Sequence, residues 1–153
     1  MTYKSGINVW RLIDDVPRSG SFNMAADQVL FDKCKFDSKP IFRVYDWECP
    51  TISIGRNEKI DEDFNLEVCK NLRIPVIRRQ TGGQSVLHGF DMTYSFVGGL
   101  MKSSFGGSVL ENYKYIAKGF YRFFEKLDLN PNYYEKTTTG RTCKANFLCF
   151  SRR

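Results

Sequence analysis

Apolar positions along this chain recur with two different periods, and each period marks a kind of element. The run "INVWRLI" (7–13) reads as a strand that gives way to a polar turn at 17–20. In "SFNMAADQVLFDKC", Phe22, Ala26, Val29 and Leu30 fall at helical spacing with Ser21 as N-cap, so a first helix is expected over about 21–34. "PIFRVYDW" and "TISIG" are short β-rich runs separated only by "ECP", which predicts adjacent strands joined by a tight connection, with Gly55 ending the second. "DEDFNLEVCKNL" has acidic residues in its first turn and Phe64, Val68 and Leu72 four apart. That amphipathic helix should stop near Arg73, because Ile74 precedes Pro75.

"PVIRR" and "MTYSFV" read as strands on either side of a glycine-containing stretch. "VLENYKYIAKGFYRFFEKL" gives the clearest helix, with Leu110, Tyr113, Ala117, Phe120, Phe124 and Leu127 repeating at three and four as a core-facing stripe. Beyond Pro131 the signal fades to turn residues, a threonine cluster and the short apolar run "NFLCF". The order β, α, β, β, α, β, β, β, α does not alternate strictly. It favours an α+β fold, a mixed β-sheet flanked by helices, in a single domain over residues 1–153.

Composition narrows this picture modestly. Apolar residues are 42% and aromatics 15% of 153 residues, enough to bury a core. Lys plus Arg exceed Asp plus Glu by 23 to 17, for a net charge of +6 that favours acidic partners. The charges are scattered and the aromatics sit at core spacing, so nucleic acid is not the expected partner. Five cysteines with no CxxC spacing and one histidine argue against a disulfide framework and a metal site, and fit a reducing cytoplasm. No apolar run approaches the 18 or so residues that cross a bilayer, so no membrane partner is expected.

The chemistry concentrates in "RRQTGGQSVLHGFDMTYS" (78–95). Gly82 and Gly83 can adopt positive φ and bare consecutive N–H groups, forming a nest for carboxylates, phosphates or oxyanions. Arg78 and Arg79 add positive forks, and strand alternation allows only one of them, Arg79, to face the loop. His88, Asp91, Thr93, Tyr94 and Ser95 then bring polar groups towards it. An ordinary hairpin turn with exposed arginines, and a structural histidine, is the other reading of the same residues.

This stretch closely resembles the signature of the biotin/lipoate protein ligase superfamily, specifically lipoate-protein ligases and octanoyltransferases. "RR.TGG..VLH" with "TYS" is most similar to the cysteine-dependent octanoyltransferases, and "NMAADQVL" (23–30) and "PTISIGRNEK" (50–59) resemble the family's first helix and its Gly-Arg-Asn segment. The resemblance implies a biotin/lipoate-protein-ligase-like catalytic domain. It also implies that Arg79, Thr81, Gly82, Gly83, Gln84, Ser85, Val86, Leu87 and His88 hold the carboxyl end of a medium-chain acyl group or its adenylate. It implies transfer of an octanoyl or lipoyl group to a lysine of a lipoyl carrier domain, such as E2 subunits or the glycine cleavage H protein, with acyl carrier protein as possible donor.

By the same resemblance "CF" (149–150) makes Cys149 the candidate nucleophile of an octanoyltransferase that needs no cofactor, whereas a lipoate ligase would use ATP and Mg. "NFLCF" can also be a core strand with an inert thiol. The family's Gly-x-Lys segment, expected after the Cys-Phe pair, is not found before Arg153, so the domain is expected to be incomplete at its C-terminal end. A non-catalytic acyl- or adenylate-binding module is the remaining alternative.

Overall fold

The computed structural model describes residues 9–34, 39–60, 64–89, 91–98 and 108–131. Their elements run β1 (Arg11–Asp14), α1 (Gly20–Cys34), β2 (Ile41–Tyr45), β3 (Thr51–Ile54), α2 (Leu66–Asn71), β4 (Val76–Arg78), β5 (Val86–His88), β6 (Thr93–Val97) and α3 (Val109–Glu125). That is the order expected from sequence. The chain divides into two compact units, residues 1–104 and 105–153.

In the first unit six strands form two mixed sheets, β1-β2-β6 and β4-β3-β5. Each central strand has one parallel and one antiparallel neighbour: β2 runs parallel to β1 and antiparallel to β6, and β3 runs parallel to β4 and antiparallel to β5. The expected pairing of β2 with β3 is therefore wrong. Both edges of each are occupied by other strands, and the segment between them crosses from one sheet to the other. Trp47 anchors that crossing, with its Nε1–H donating to Thr93 Oγ1 at 2.8 Å and its ring stacked on His88 at 4.2 Å.

Helix α1 departs from its amphipathic reading. Phe22 and Val29 are exposed, while Asn23 is fully buried. The reason lies in β2, where alternation places Ile41, Arg43 and Tyr45 inward and makes Arg43 a charged core residue. Its guanidinium donates to Asp15 Oδ2 (2.9 Å), Asp27 Oδ1 (2.9 Å), Asn23 Oδ1 (2.7 Å) and the Asn23 carbonyl (3.3 Å), and it lies 4.0 Å over the Tyr45 ring. Asp27 also accepts from Tyr45 Oη and Ser95 Oγ. Burial raises the Tyr45 phenol above its ordinary value, with the Asp27 charge adding to the effect. The "NMAADQ" pattern thus turns a polar face inward because Asn23 and Asp27 grip Arg43. Buried charge is tolerable only when its donors and acceptors are met, and no buried side-chain N or O among the described residues lacks a partner.

The α1 cap is Ser19 rather than Ser21: Ser19 Oγ accepts the Phe22 N–H and its carbonyl the Asn23 N–H. Gly20 fits where a Cβ would press on Thr51 Cγ2 (2.8 Å) and Ile77 Cδ1 (3.1 Å), so the helix start lies directly on the second sheet.

Helix α2 is shorter than expected. Asn65 caps it by accepting the Val68 N–H, so Phe64 precedes it, and Val68 and Leu72 are exposed rather than core residues. It ends at the expected place, with Arg73 in the left-handed region (φ 54°) and the Ile74 N–H closing on the Cys69 carbonyl.

In the second unit α3 opens with a capping box. Ser108 Oγ accepts the Glu111 N–H, and Glu111 Oε2 accepts the Ser108 N–H at 2.7 Å. Along its expected stripe Ala117 is buried and Tyr113, Phe120 and Phe124 are half-buried. Leu127 lies past the helix end and is exposed.

Candidate functional site

The stretch singled out from sequence leaves β4 at Arg78, loops through residues 79–85 and returns as β5, which pairs with β3 in the register Thr51–His88 and Ser53–Val86. Both arginines serve the backbone instead of standing free as anion forks. Arg79 is half-buried; its Nη2 donates to the carbonyls of Gly82 (2.9 Å) and Gln84 (2.8 Å), and its Nη1 to Ser53 O (2.9 Å) and Ser53 Oγ (3.1 Å). Arg78 Nη1 reaches the other way, to the carbonyls of Gly55 (2.7 Å), Arg56 (3.2 Å) and Glu58 (2.8 Å). Opposite facing of neighbouring strand residues is thus used to fasten two loops at once.

Only one of the paired glycines takes positive φ: Gly83, at 99°. The carbonyls of Thr81, Gly82 and Gln84 are claimed by Arg56 N–H and by Arg79. Among the described residues neither the Gly82 nor the Gly83 N–H has a protein acceptor. Unclaimed amides are what an oxyanion nest needs, and those of Gln80 and Thr81 are likewise without a backbone acceptor. Gly55 lies so close beneath it that a Cβ there would run into the Gly83 carbonyl oxygen.

Ser85 is already engaged, and by a residue the sequence reading missed. Glu58 Oε1 accepts the Ser85 N–H (2.9 Å), and its Oε2 accepts Ser85 Oγ (3.0 Å) and the Gly55 N–H (2.9 Å). Desolvation pushes the Glu58 carboxyl upward, but those three donors and the nearby Arg79 charge outweigh it and hold its pKa below the ordinary value.

On β5, Leu87 is exposed, Val86 half-buried and His88 buried. His88 Nε2 lies 2.9 Å from Ser53 Oγ and its Nδ1 lies 2.7 Å from Asp91 Oδ2. Ser53 Oγ, which accepts from Arg79, and the Asp91 carboxylate thus hold the two ring nitrogens from opposite ends. Asp91 also accepts from the Gly89 N–H and Thr93 Oγ1. Burial raises the Asp91 pKa, yet the bonds from His88, Gly89 and Thr93 bring it below its ordinary value overall.

Arg79, Gly82, Gln84 and His88 are thus joined through Ser53 in one hydrogen-bonded set, Ser85 is held by Glu58 and Thr81 by the Arg56 N–H, and Gly83 lies against Gly55. Two residues expected to converge there do not: Ser95 bonds Asp27 beside the first sheet, and Tyr94 stacks on Phe42 at 5.7 Å. Ser53 was legible in principle, since "TIS" puts two small polar side chains at buried alternate positions. Cys149 lies outside the described residues. Among those residues no cluster of three His, Cys, Asp or Glu is placed to hold a metal. No described helix is long and apolar enough to cross a membrane.

Solved structures share this architecture. Lipoate-protein ligase A bound with ATP matches with a TM-score of 0.71 at 23% identity, over 86% of this chain and 53% of its own. An archaeal bi-partite lipoate protein ligase from Thermoplasma acidophilum, analysed with its E2 lipoyl domain, gives 0.70 at 23% identity, over 80% and 47%. The fold class is therefore that of the lipoate-protein ligases. The chain belongs to the lipoyl protein ligase A/B catalytic domain family, whose model matches residues 19–142. The octanoyltransferase LipM of Carboxydothermus hydrogenoformans is 34% identical over 155 residues, covering 88% of this chain and 58% of that protein. This chain spans about half the length of the curated relatives it matches.

Proposed function

We propose that this chain carries the acyl-binding part of an octanoyltransferase, which moves an octanoyl group from acyl carrier protein to a lysine of a lipoyl carrier domain such as an E2 subunit or the glycine cleavage H protein. The observation that carries this reading is the loop at 79–85, whose Thr81, Gly82 and Gln84 carbonyls are clasped while the Gly82 and Gly83 amides have no backbone acceptor among the described residues. Two backbone donors in a hydrogen-bonded bend suit the oxygen of a thioester, which gains negative charge as it is attacked. Relatives named octanoyltransferase, 31–36% identical, support the acyl class.

In this scheme the Cys149 thiolate attacks the donor thioester, and the carrier thiol leaves with a proton. The lysine amine then displaces the cysteine sulfur, forming an amide and returning the thiol. No nucleotide enters. A net charge of +6 would hasten encounter with acidic carrier domains.

The test is intact-protein mass spectrometry of the full-length protein mixed with octanoyl-acyl carrier protein and a lipoyl domain. Octanoylation of the carrier lysine without ATP, with a thioester adduct lost in Cys149→Ser, is the expected result. Acylation that appears only with lipoate, ATP and Mg would replace this reading with a ligase. Reversible acyl binding with no transfer would replace it with a binding module.

A further inference from the structure

We propose that Glu58 is a positioning residue, holding the backbone at 82–85 in the shape that presents its amides to an acyl carbonyl; this rests on the function proposed above. Its carboxylate bridges the segments that continue β3 and β5 past their paired residues. One oxygen takes the Ser85 N–H at 2.9 Å, and the other takes Ser85 Oγ at 3.0 Å and the Gly55 N–H at 2.9 Å. The arm that carries it is fixed in turn. The Glu58 N–H closes a turn on the Gly55 carbonyl at 3.1 Å, and Arg78 grips the carbonyls of Gly55, Arg56 and Glu58.

The loop is thereby held from both sides. Arg79 draws in the Gly82 and Gln84 carbonyls, Arg56 N–H takes the Thr81 carbonyl, and Glu58 takes the Ser85 amide. A cation therefore satisfies acceptors and an anion satisfies donors around one bend, and the Gly82 and Gly83 N–H groups are among those left without a backbone acceptor among the described residues. The β3 pairings with β4 and β5 do not need Glu58, because their ladders run through residues 51–54, 76–78 and 86–88. Its role is local to the loop.

Three donors on one side chain also explain why a carboxylate stands there. Glutamine has the same shape but carries an NH2 at one end, so it must set a donor against the Ser85 N–H or against the Gly55 N–H and its neighbour. Glu58→Gln is accordingly the discriminating variant. In the full-length protein, amide hydrogen exchange at Ser85 and Gly55, the two amides that Glu58 accepts, is expected to quicken about tenfold or more, the loss of one charge-assisted bond. In octanoyl transfer kcat is expected to fall about ten- to hundredfold, with KM for the octanoyl donor little changed, because a misplaced amide is felt mainly in the transition state. Glu58→Asp keeps both oxygens and should fall between.

Unchanged exchange at Ser85 and Gly55 would overturn the proposal, as would a loosened loop with unchanged kcat. Exchange rising equally across both sheets, with activity falling only with the folded fraction, would also overturn it by making Glu58 a general structural residue. If the wild-type protein transfers no acyl group, the functional reading fails on its own, and the exchange data alone decide whether Glu58 holds the loop.

Discussion

Replacing Arg43 with methionine should be among the most destabilising single changes in the first unit. The side chain is 1% exposed, while Asp15 and Asp27 are each about 20% exposed at the side chain, so the pairs are shielded on the cationic side and partly wet on the other. Four guanidinium bonds at about 1.5 kcal/mol each amount to about 6 kcal/mol gross. Relief from burying the guanidinium offsets part of this, and breaking a buried pair by removing one partner typically costs about 3–5 kcal/mol. Against a total stability of roughly 5–15 kcal/mol, that leaves a marginal fold. Urea unfolding followed by circular dichroism reads the loss as a lower midpoint at constant slope.

The pH dependence sharpens the test. Hydrogen bonding from Arg43, the largest influence, lowers the Asp15 pKa in the folded state against the desolvation that opposes it. A depressed carboxyl contributes stability above its unfolded value, about 3.8, and loses it as pH falls through the lower folded value. Arg43→Met removes that contribution, so the gap between variant and wild type should narrow on acidification from pH 7 towards pH 3. A loss under about 1 kcal/mol at pH 7, or a gap that widens in acid, would refute the buried-cation account.

Other substitutions probe the loop directly. Gly55→Ala should displace the loop, because its methyl meets the Gly83 carbonyl, costing about 1–3 kcal/mol in urea unfolding and lowering acyl transfer. Gly83→Ala places a Cβ at φ 99°, and a loss of about 1–2 kcal/mol is expected in thermal unfolding, whereas Gly82→Ala, with open space at its Cβ, should stay nearly neutral in stability. Asp91→Asn removes a carboxylate whose folded pKa is depressed, so its cost should be largest near pH 7 and shrink as pH falls below about 4.

The elements were legible because period and punctuation agree locally: Pro75 and Gly55 end segments where the sequence says they should, and α3 shows its stripe. What sequence hid was polar burial. Arg43 sits in a β-rich run as an ordinary alternating residue, and only the approach of Asp15 and Asp27 from elsewhere in the chain makes its burial tolerable. The same cause misled the reading of α1, where the exposed Phe22 and Val29 carry the helical spacing and the face turned to Arg43 is the buried Asn23 and the half-buried Asp27.

Pairing was illegible for a different reason. A short link between β2 and β3 implies neighbours only if no other strand holds the edges, and both strands turned out to be central. In the candidate site the glycines, Arg79 and His88 stood out by residue type. Glu58 did not, because a glutamate in "RNEK" resembles a solvated charge until its three donors are in place.

The central claim is that the amides of Gly82 and Gly83 receive an acyl carbonyl. It is tested most directly by following their 15N–1H resonances while the full-length protein is titrated with octanoyl-acyl carrier protein in which an amide replaces the thioester, so that no transfer occurs. Downfield amide-proton shifts concentrated at Gly82 and Gly83, saturating with the ligand and absent with unacylated carrier, are the expected result. Saturable binding that leaves both resonances unmoved would contradict it.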